Sequence, residues 1–155
     1  MFNSCGGCVK FIMALVLIAS PLLANAQNMW KVVETDPAAV LAFQMINNTS
    51  PRQATVGYFF TTPTDTNASG DTADYTLVGM EFDCYAPRTR ALVQKNYRLN
   101  QPTPLLVGEN LGRWEPIVHP SQQKVWESVC GAKDHAMARF DTIPQLMRWL
   151  RASGK

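Results

Sequence analysis

Tyr75-Thr76-Leu77-Val78-Gly79-Met80-Glu81-Phe82-Asp83-Cys84 is the stretch that decides the fold. Thr76, Val78, Met80, Phe82 and Cys84 alternate with Tyr75, Leu77, Gly79, Glu81 and Asp83, and side chains two apart share one face of a β-strand. The segment is therefore a strand with an apolar row, and Cys84 ends that row pointing at the core. Glu81 and Asp83 fall on the other face. They read there as a solvated pair of strand charges, because a catalytic carboxylate pair also needs a pocket and perturbed pKa values.

Working outward, Tyr85-Ala86-Pro87 makes a turn, and Arg88 to Leu99 reads as a second long strand. Thr89, Ala91, Val93 and Tyr97 contrast with Arg90, Gln94, Asn96 and Arg98, which fits an antiparallel hairpin in a sheet with one wet face. Upstream, Met29 to Glu34, Ala38 to Met45 and Ala54 to Phe60 are rich in β-branched and aromatic residues, with Asp36-Pro37 and Asn47 to Pro51 as breaks. They give three more strands, the third apolar enough for the middle of a sheet. Thr61 to Asp74 is nearly all Thr, Asp, Ser, Asn, Gly and Ala, and such a composition predicts a mobile loop.

Downstream, Leu105-Leu106-Val107 and Arg113 to Val118 read as short strands, with Pro116 pushing the latter toward an edge. Pro120-Ser121 opens a helix with Ser121 as its N-cap, stacking Val125 over Val129 and Trp126 over Cys130, and Gly131 ends it. Ile143, Leu146, Met147 and Leu150 then follow the i, i+3, i+4, i+7 spacing of an amphipathic helix, with Asp141 or Thr142 as cap and Pro144 in the first turn. Its apolar stripe is expected to pack on the domain or on a partner rather than on a membrane surface. The fold class is α+β: an antiparallel sheet of about six short strands, a helix joined to it, and an extra amphipathic tail helix.

The chain opens with Lys10, an apolar run from Phe11 to Ala19, Pro21, and small residues at Ala24 and Ala26. These are the parts of a cleavable secretory signal over residues 1–26. The run is too short for a bilayer span. Gln27 at the cleavage point, in place of a cysteine, argues against lipid attachment. Cys5-Gly6-Gly7-Cys8 has redox or zinc spacing, but it precedes the apolar core and is discarded with the signal. Two cysteines remain, Cys84 and Cys130, and in an oxidising compartment they are expected to bond to each other as a structural staple. The bond would clamp the Ser121 helix to the sheet.

Residues 27–131 are thus expected to form one sheet-and-helix domain, and residues 132–155 a C-terminal extension. Removing Lys10 lowers the formal net charge of +2 to about +1, which disfavours a nucleic-acid partner. His119 and His135, the two histidines, lack metal-ligand spacing and read as surface side chains. No nucleophile elbow, phosphate loop or dinucleotide fingerprint occurs. No cofactor, metal or catalytic residue is expected.

Glu81-Phe82-Asp83-Cys84, Arg88-Thr89-Arg90, Tyr97, Trp114-Glu115-Pro116-Ile117-Val118, Pro120-Ser121 and Val129-Cys130 resemble the surface-adhesin protein E-like domain of Gram-negative bacteria. The order Cys, Arg, Tyr, Trp, Pro-Ser, Cys carries the resemblance. It implies an antiparallel sheet with a helix tied to it by the Cys84 to Cys130 bond. The family's namesake is an adhesin for host extracellular proteins, but the matching positions here are framework, so that activity does not transfer residue by residue. The missing lipoprotein cysteine and the tail after Gly131 depart from the pattern. The resulting expectation is a non-enzymatic, periplasmic or secreted binding module with a protein or cell-envelope partner and no membrane span after signal cleavage. The alternative is an inhibitor of an envelope-directed hydrolase such as a lysozyme, which would need a rigid loop presenting a polar plug.

Overall fold

The computed structural model describes residues 28–65, 72–109 and 112–153. Residues 1–26, with Cys5 and Cys8, which the sequence leads one to expect as a secretory signal, lie outside the described residues, as does the centre of the Thr61 to Asp74 segment. Strands β1 (Trp30–Thr35), β2 (Ala39–Asn47), β3 (Arg52–Asp65), β4 (Thr72–Asp83), β5 (Arg88–Tyr97), β6 (Leu106–Glu109) and β7 (Glu115–Pro116) precede helix α1 (Pro120–Cys130). Strand β8 (Ala138–Phe140) and helix α2 (Ile143–Ala152) follow. The strands form one antiparallel sheet in the order β6-β5-β4-β3-β2-β1-β8, with β7 pairing to the end of β5.

The alternation in β4 holds along the sheet, and each face carries its own apolar cluster. Val33, Leu41, Phe43, Ala54, Val56 and Phe82 share one face with Val125 and Val129 of α1, with Met80, Trp126 and Cys130 packed at the margin. Trp30, Val32, Val40, Ala42, Phe59 and Tyr75 share the other face with Leu146, Met147 and Leu150 of α2. The expectation of one wet face is corrected here, since a helix lies on each side of the sheet. Fully burying a Leu or Met side chain contributes about 1.5 to 3 kcal/mol, so the three residues of α2 anchor it firmly.

On the α2 side, aromatic rings run across the strands: Trp30 meets Phe59 edge-on at 5.3 Å, and Phe59, Tyr75 and Tyr97 stack at 5.7 and 5.1 Å. Gly57 makes room for the first pair, because a Cβ there would lie 2.4 Å from the Phe59 ring. Residues 132–153, read from sequence as an extension, supply β8 to the sheet edge beside β1 and α2 to this core.

Several local expectations change. Thr61 to Asp65 and Thr72 to Asp74 are strand rather than loop, with Thr64 paired to Ala73 and Asp65 to Thr72, because backbone pairing needs no apolar side chains and Thr favours strands. The N-cap of α1 is His119 rather than Ser121, with Pro120 in the first turn, the position where its missing N–H costs nothing. Thr142 caps α2, its hydroxyl accepting from the Gln145 N–H at 3.4 Å. Gly131 ends α1 at φ 78°, a left-handed conformation that favours glycine.

Candidate functional site

Cys84 and Cys130 are bonded, with their Cα atoms 5.4 Å apart. The bond fixes the C-terminal end of α1 against the end of β4. The Trp126 indole N–H donates to the Asp83 carbonyl at 2.9 Å, and Arg52 donates to the Val129 carbonyl. With its C-terminal end held in this way, α1 crosses the sheet, and its N-terminal turn overhangs a trough.

The floor of that trough is formed by Leu41 of β2, Val56 and Tyr58 of β3, Met80 and Phe82 of β4 and Thr89 of β5, with Gln122 and Val125 of α1 above. The central section is narrow, about 20 Å³. At one end it opens beside Glu34, Asp36, Ala39 and Ser121 into a recess of about 90 Å³ that shares Leu41 and Tyr58. At the other end it opens into a recess of about 180 Å³ that shares Met80, Thr89 and Gln122 and adds Arg90, Arg113 and Glu115. Glu34 and Asp36 mark one end, and Arg90, Arg113 and Glu115 the other.

The carboxylates are engaged: Lys124 of α1 reaches Glu34 at 3.1 Å, and Asp36 accepts the Ala38 and Ala39 N–H groups at 2.7 Å. Tyr58 stays 37 % exposed in the floor, and burial of the rest of the side chain raises its phenol above the ordinary value. At the far end the Arg90 guanidinium binds Glu81 at 2.6 Å and lies 5.1 Å from the centre of the Trp114 ring. Arg88, over the same ring, binds Asp83 at 2.8 Å.

Glu81 departs from its expected role as a solvated strand charge, being only 7 % exposed. Its burial alone would raise the pKa. Hydrogen bonds from Gln53 and Arg90 and the Arg90 charge outweigh that and hold the carboxyl below its ordinary value. Asp83 is also lowered, by the Tyr85 N–H and then by Arg88. The two carboxylates each have an arginine of their own, and this arrangement is structural.

His119 is exposed at the start of α1, as expected of a surface residue. His135 is not simply a surface side chain, since its Nε2 contacts a Glu127 carboxylate oxygen. Ser128 lies close by but accepts the His135 backbone N–H at 3.1 Å, so hydroxyl and imidazole are not joined as a nucleophile and its base must be. Among the described residues no group of three His, Cys, Asp or Glu side chains is placed to hold a metal ion. No described helix is long and apolar enough to cross a membrane.

Sequence reasoning picked out the disulfide but missed Tyr58, Thr89, Arg113 and Gln122. The signal for Tyr58 was present in the strand alternation, which places it with Val56 on the α1 side of the sheet, whereas Thr89 shares that face with Phe82 because a register shift opposite Gly79 and Met80 separates it from Tyr97, whose ring stacks on Tyr75 on the α2 side. Arg113 and Gln122 come to the trough from separate segments, and nothing local in the sequence brings those together. No family model matches the chain, and comparisons with curated proteins and with solved structures found no match.

Proposed function

We propose that this chain is a non-enzymatic exported binding domain that engages a protein or cell-envelope partner in the trough beside α1. The observation that carries the reading is the trough itself: an apolar floor with a part-exposed tyrosine, flanked by charged residues at its two ends. Binding sites combine apolar lining with a few convergent polar groups in this way, and exposed tyrosine is enriched where proteins meet. The disulfide is compatible with an oxidising, exported compartment. An antiparallel sheet with a disulfide-held helix is also the plan that the surface-adhesin protein E-like resemblance implies.

Affinity capture from envelope extract tests the reading, using the wild-type chain alongside Tyr58→Glu and Gln122→Glu variants of unchanged unfolding midpoint. A partner retained by wild type and lost by both variants supports it. A partner retained equally by all three places binding elsewhere.

One observation favours the second reading, an inhibitor of an envelope-directed hydrolase such as a lysozyme. Beyond an irregularity between Phe59 and Thr64, the arm formed by β3 and β4 pairs again at Thr64 with Ala73 and Asp65 with Thr72, the kind of backbone pairing a projecting inhibitory arm would use. Loss of lysozyme activity on adding the purified protein, abolished by deleting residues 62–73, would support this reading over the first.

A further inference from the structure

The wide recess beyond Met80 holds two opposite charges that pair with nothing among the described residues. Three separate segments wall it: β5 through Thr89 and Ala91, the chain from Gly112 to Pro116, and Gln122 of α1. Glu115 pairs with Thr89 in the sheet, and Gly112 lies so close to β5 that a Cβ there would sit 3.4 Å from the Ala91 N and O atoms. Arg113 and Glu115 both line the recess. The ring of Trp114 between them lies instead against Arg88 and Arg90, at 5.3 and 5.1 Å, and so anchors the segment.

Beside this segment the charges are matched, Arg90 binding Glu81 and Arg88 binding Asp83. Arg113 and Glu115 are different. Neither side chain makes a hydrogen bond or ion pair among the described residues, with the other or with a third group, and the Gln122 amide is equally uncommitted. A guanidinium only donates, a carboxylate only accepts and an amide does both. One free cation and one free anion leave no net charge, so the recess suits a neutral ligand that donates and accepts along one edge. Met80, Ala91 and Pro116 supply an apolar wall, and ligand sites combine such a wall with a few convergent polar groups.

We infer that the recess binds one ring of an uncharged saccharide, with neighbouring hydroxyls on Arg113, Glu115 and Gln122 and a C–H face on the apolar wall. Every hydroxyl both donates and accepts, so adjacent ones can serve the guanidinium and the carboxylate together. The N–H and C=O of a trans peptide group point to opposite sides, so one peptide group reaches only one of the two charges. A space of about 180 Å³ suits a single compact ring. The inference rests on the trough being a binding surface and makes the envelope partner a glycan. It fails separately from that reading, because Tyr58 lies outside this recess.

The test is an NMR titration of the purified protein with glucose, galactose, N-acetylglucosamine, glucuronate, glucosamine and N-acetyl-L-alanine methylamide, reading the Thr89, Ala91, Gly112 and Gln122 amides. Saturable shifts with at least one of the three neutral sugars are expected, at a Kd of about 10 mM or tighter. Arg113→Gln and Glu115→Gln, both at exposed positions, should each weaken that sugar about fivefold through loss of a charge-assisted hydrogen bond. Tyr58→Glu should leave its affinity unchanged even where capture of a partner is lost. Four results would overturn the assignment: no saturable shift with any neutral sugar, tighter binding of glucuronate, glucosamine or the methylamide than of every neutral sugar, sugar binding that both recess variants leave intact, or sugar binding that Tyr58→Glu abolishes.

Discussion

The Trp126 indole donates its N–H to the carbonyl of Asp83, the residue before Cys84, at 2.9 Å. Helix α1 is thereby held to the end of β4 twice over, by this hydrogen bond and by the disulfide one turn later. The trough exists because the far end of the same helix is thereby positioned over the sheet.

Replacing both Cys84 and Cys130 with Ser opens a loop of sequence separation 46 and should lower unfolding stability by about 4 kcal/mol in the chain-entropy account. Trp126→Phe keeps the ring and loses one hydrogen bond, for about 1 kcal/mol. Urea unfolding of the oxidised protein and the two variants checks the ranking. Equal stability of the double-serine variant and the wild type would mean that the bond does not constrain the fold.

Helix α2 belongs to the core because Leu146 is fully buried against the sheet. Leu146→Ala should cost about 2 to 5 kcal/mol. Met137→Ala, at an exposed position only nine residues away, should stay within about 0.5 kcal/mol of wild type. Matching unfolding midpoints for the two variants would show that the tail is not part of the cooperative unit.

Acid sensitivity follows from Glu81 and Asp83. Their ordinary values are 4.5 and 3.8, and both are lowered in the folded chain. A lowered folded pKa stabilises the fold above the ordinary value, and that contribution is lost as pH falls from there through the folded value. Stability should therefore decline below about pH 4.5, and Glu81→Gln should make the decline shallower while lowering the plateau, because Arg90 loses its partner. Parallel slopes for wild type and variant in denaturant titrations across that range would rule out Glu81 as a contributor.

The residues most legible in the sequence were those whose neighbours along the chain determine their fate. Alternation from Thr76 to Cys84 placed Cys84 on the face of Met80 and Phe82, and the spacing of Ile143, Leu146, Met147 and Leu150 marked a helix with one apolar stripe. That this stripe covers the opposite face of the sheet depends on Trp30, Phe59 and Tyr75, more than sixty residues away, and no local pattern reports it. Strand β8 is three residues long, too short for a period to emerge. The polar arm of β3 and β4 was misread because backbone hydrogen bonds, invisible in composition, form it. Glu81 was assigned to the right face, but its burial arises from Gln53 and Arg90 on the neighbouring strands. The trough was illegible for the same reason, since its roof and floor come from segments that meet only once the disulfide and the sheet have brought them together.

The proposed function requires that partners bind beneath α1. It is tested most directly by placing a photo-reactive phenylalanine analogue at position 58 in the trough, or at the exposed position 137 outside it, and irradiating intact cells that produce the protein. A discrete crosslinked species from position 58 and none from position 137 is the predicted result. Equal adducts from both positions, or adducts from position 137 alone, would contradict the account.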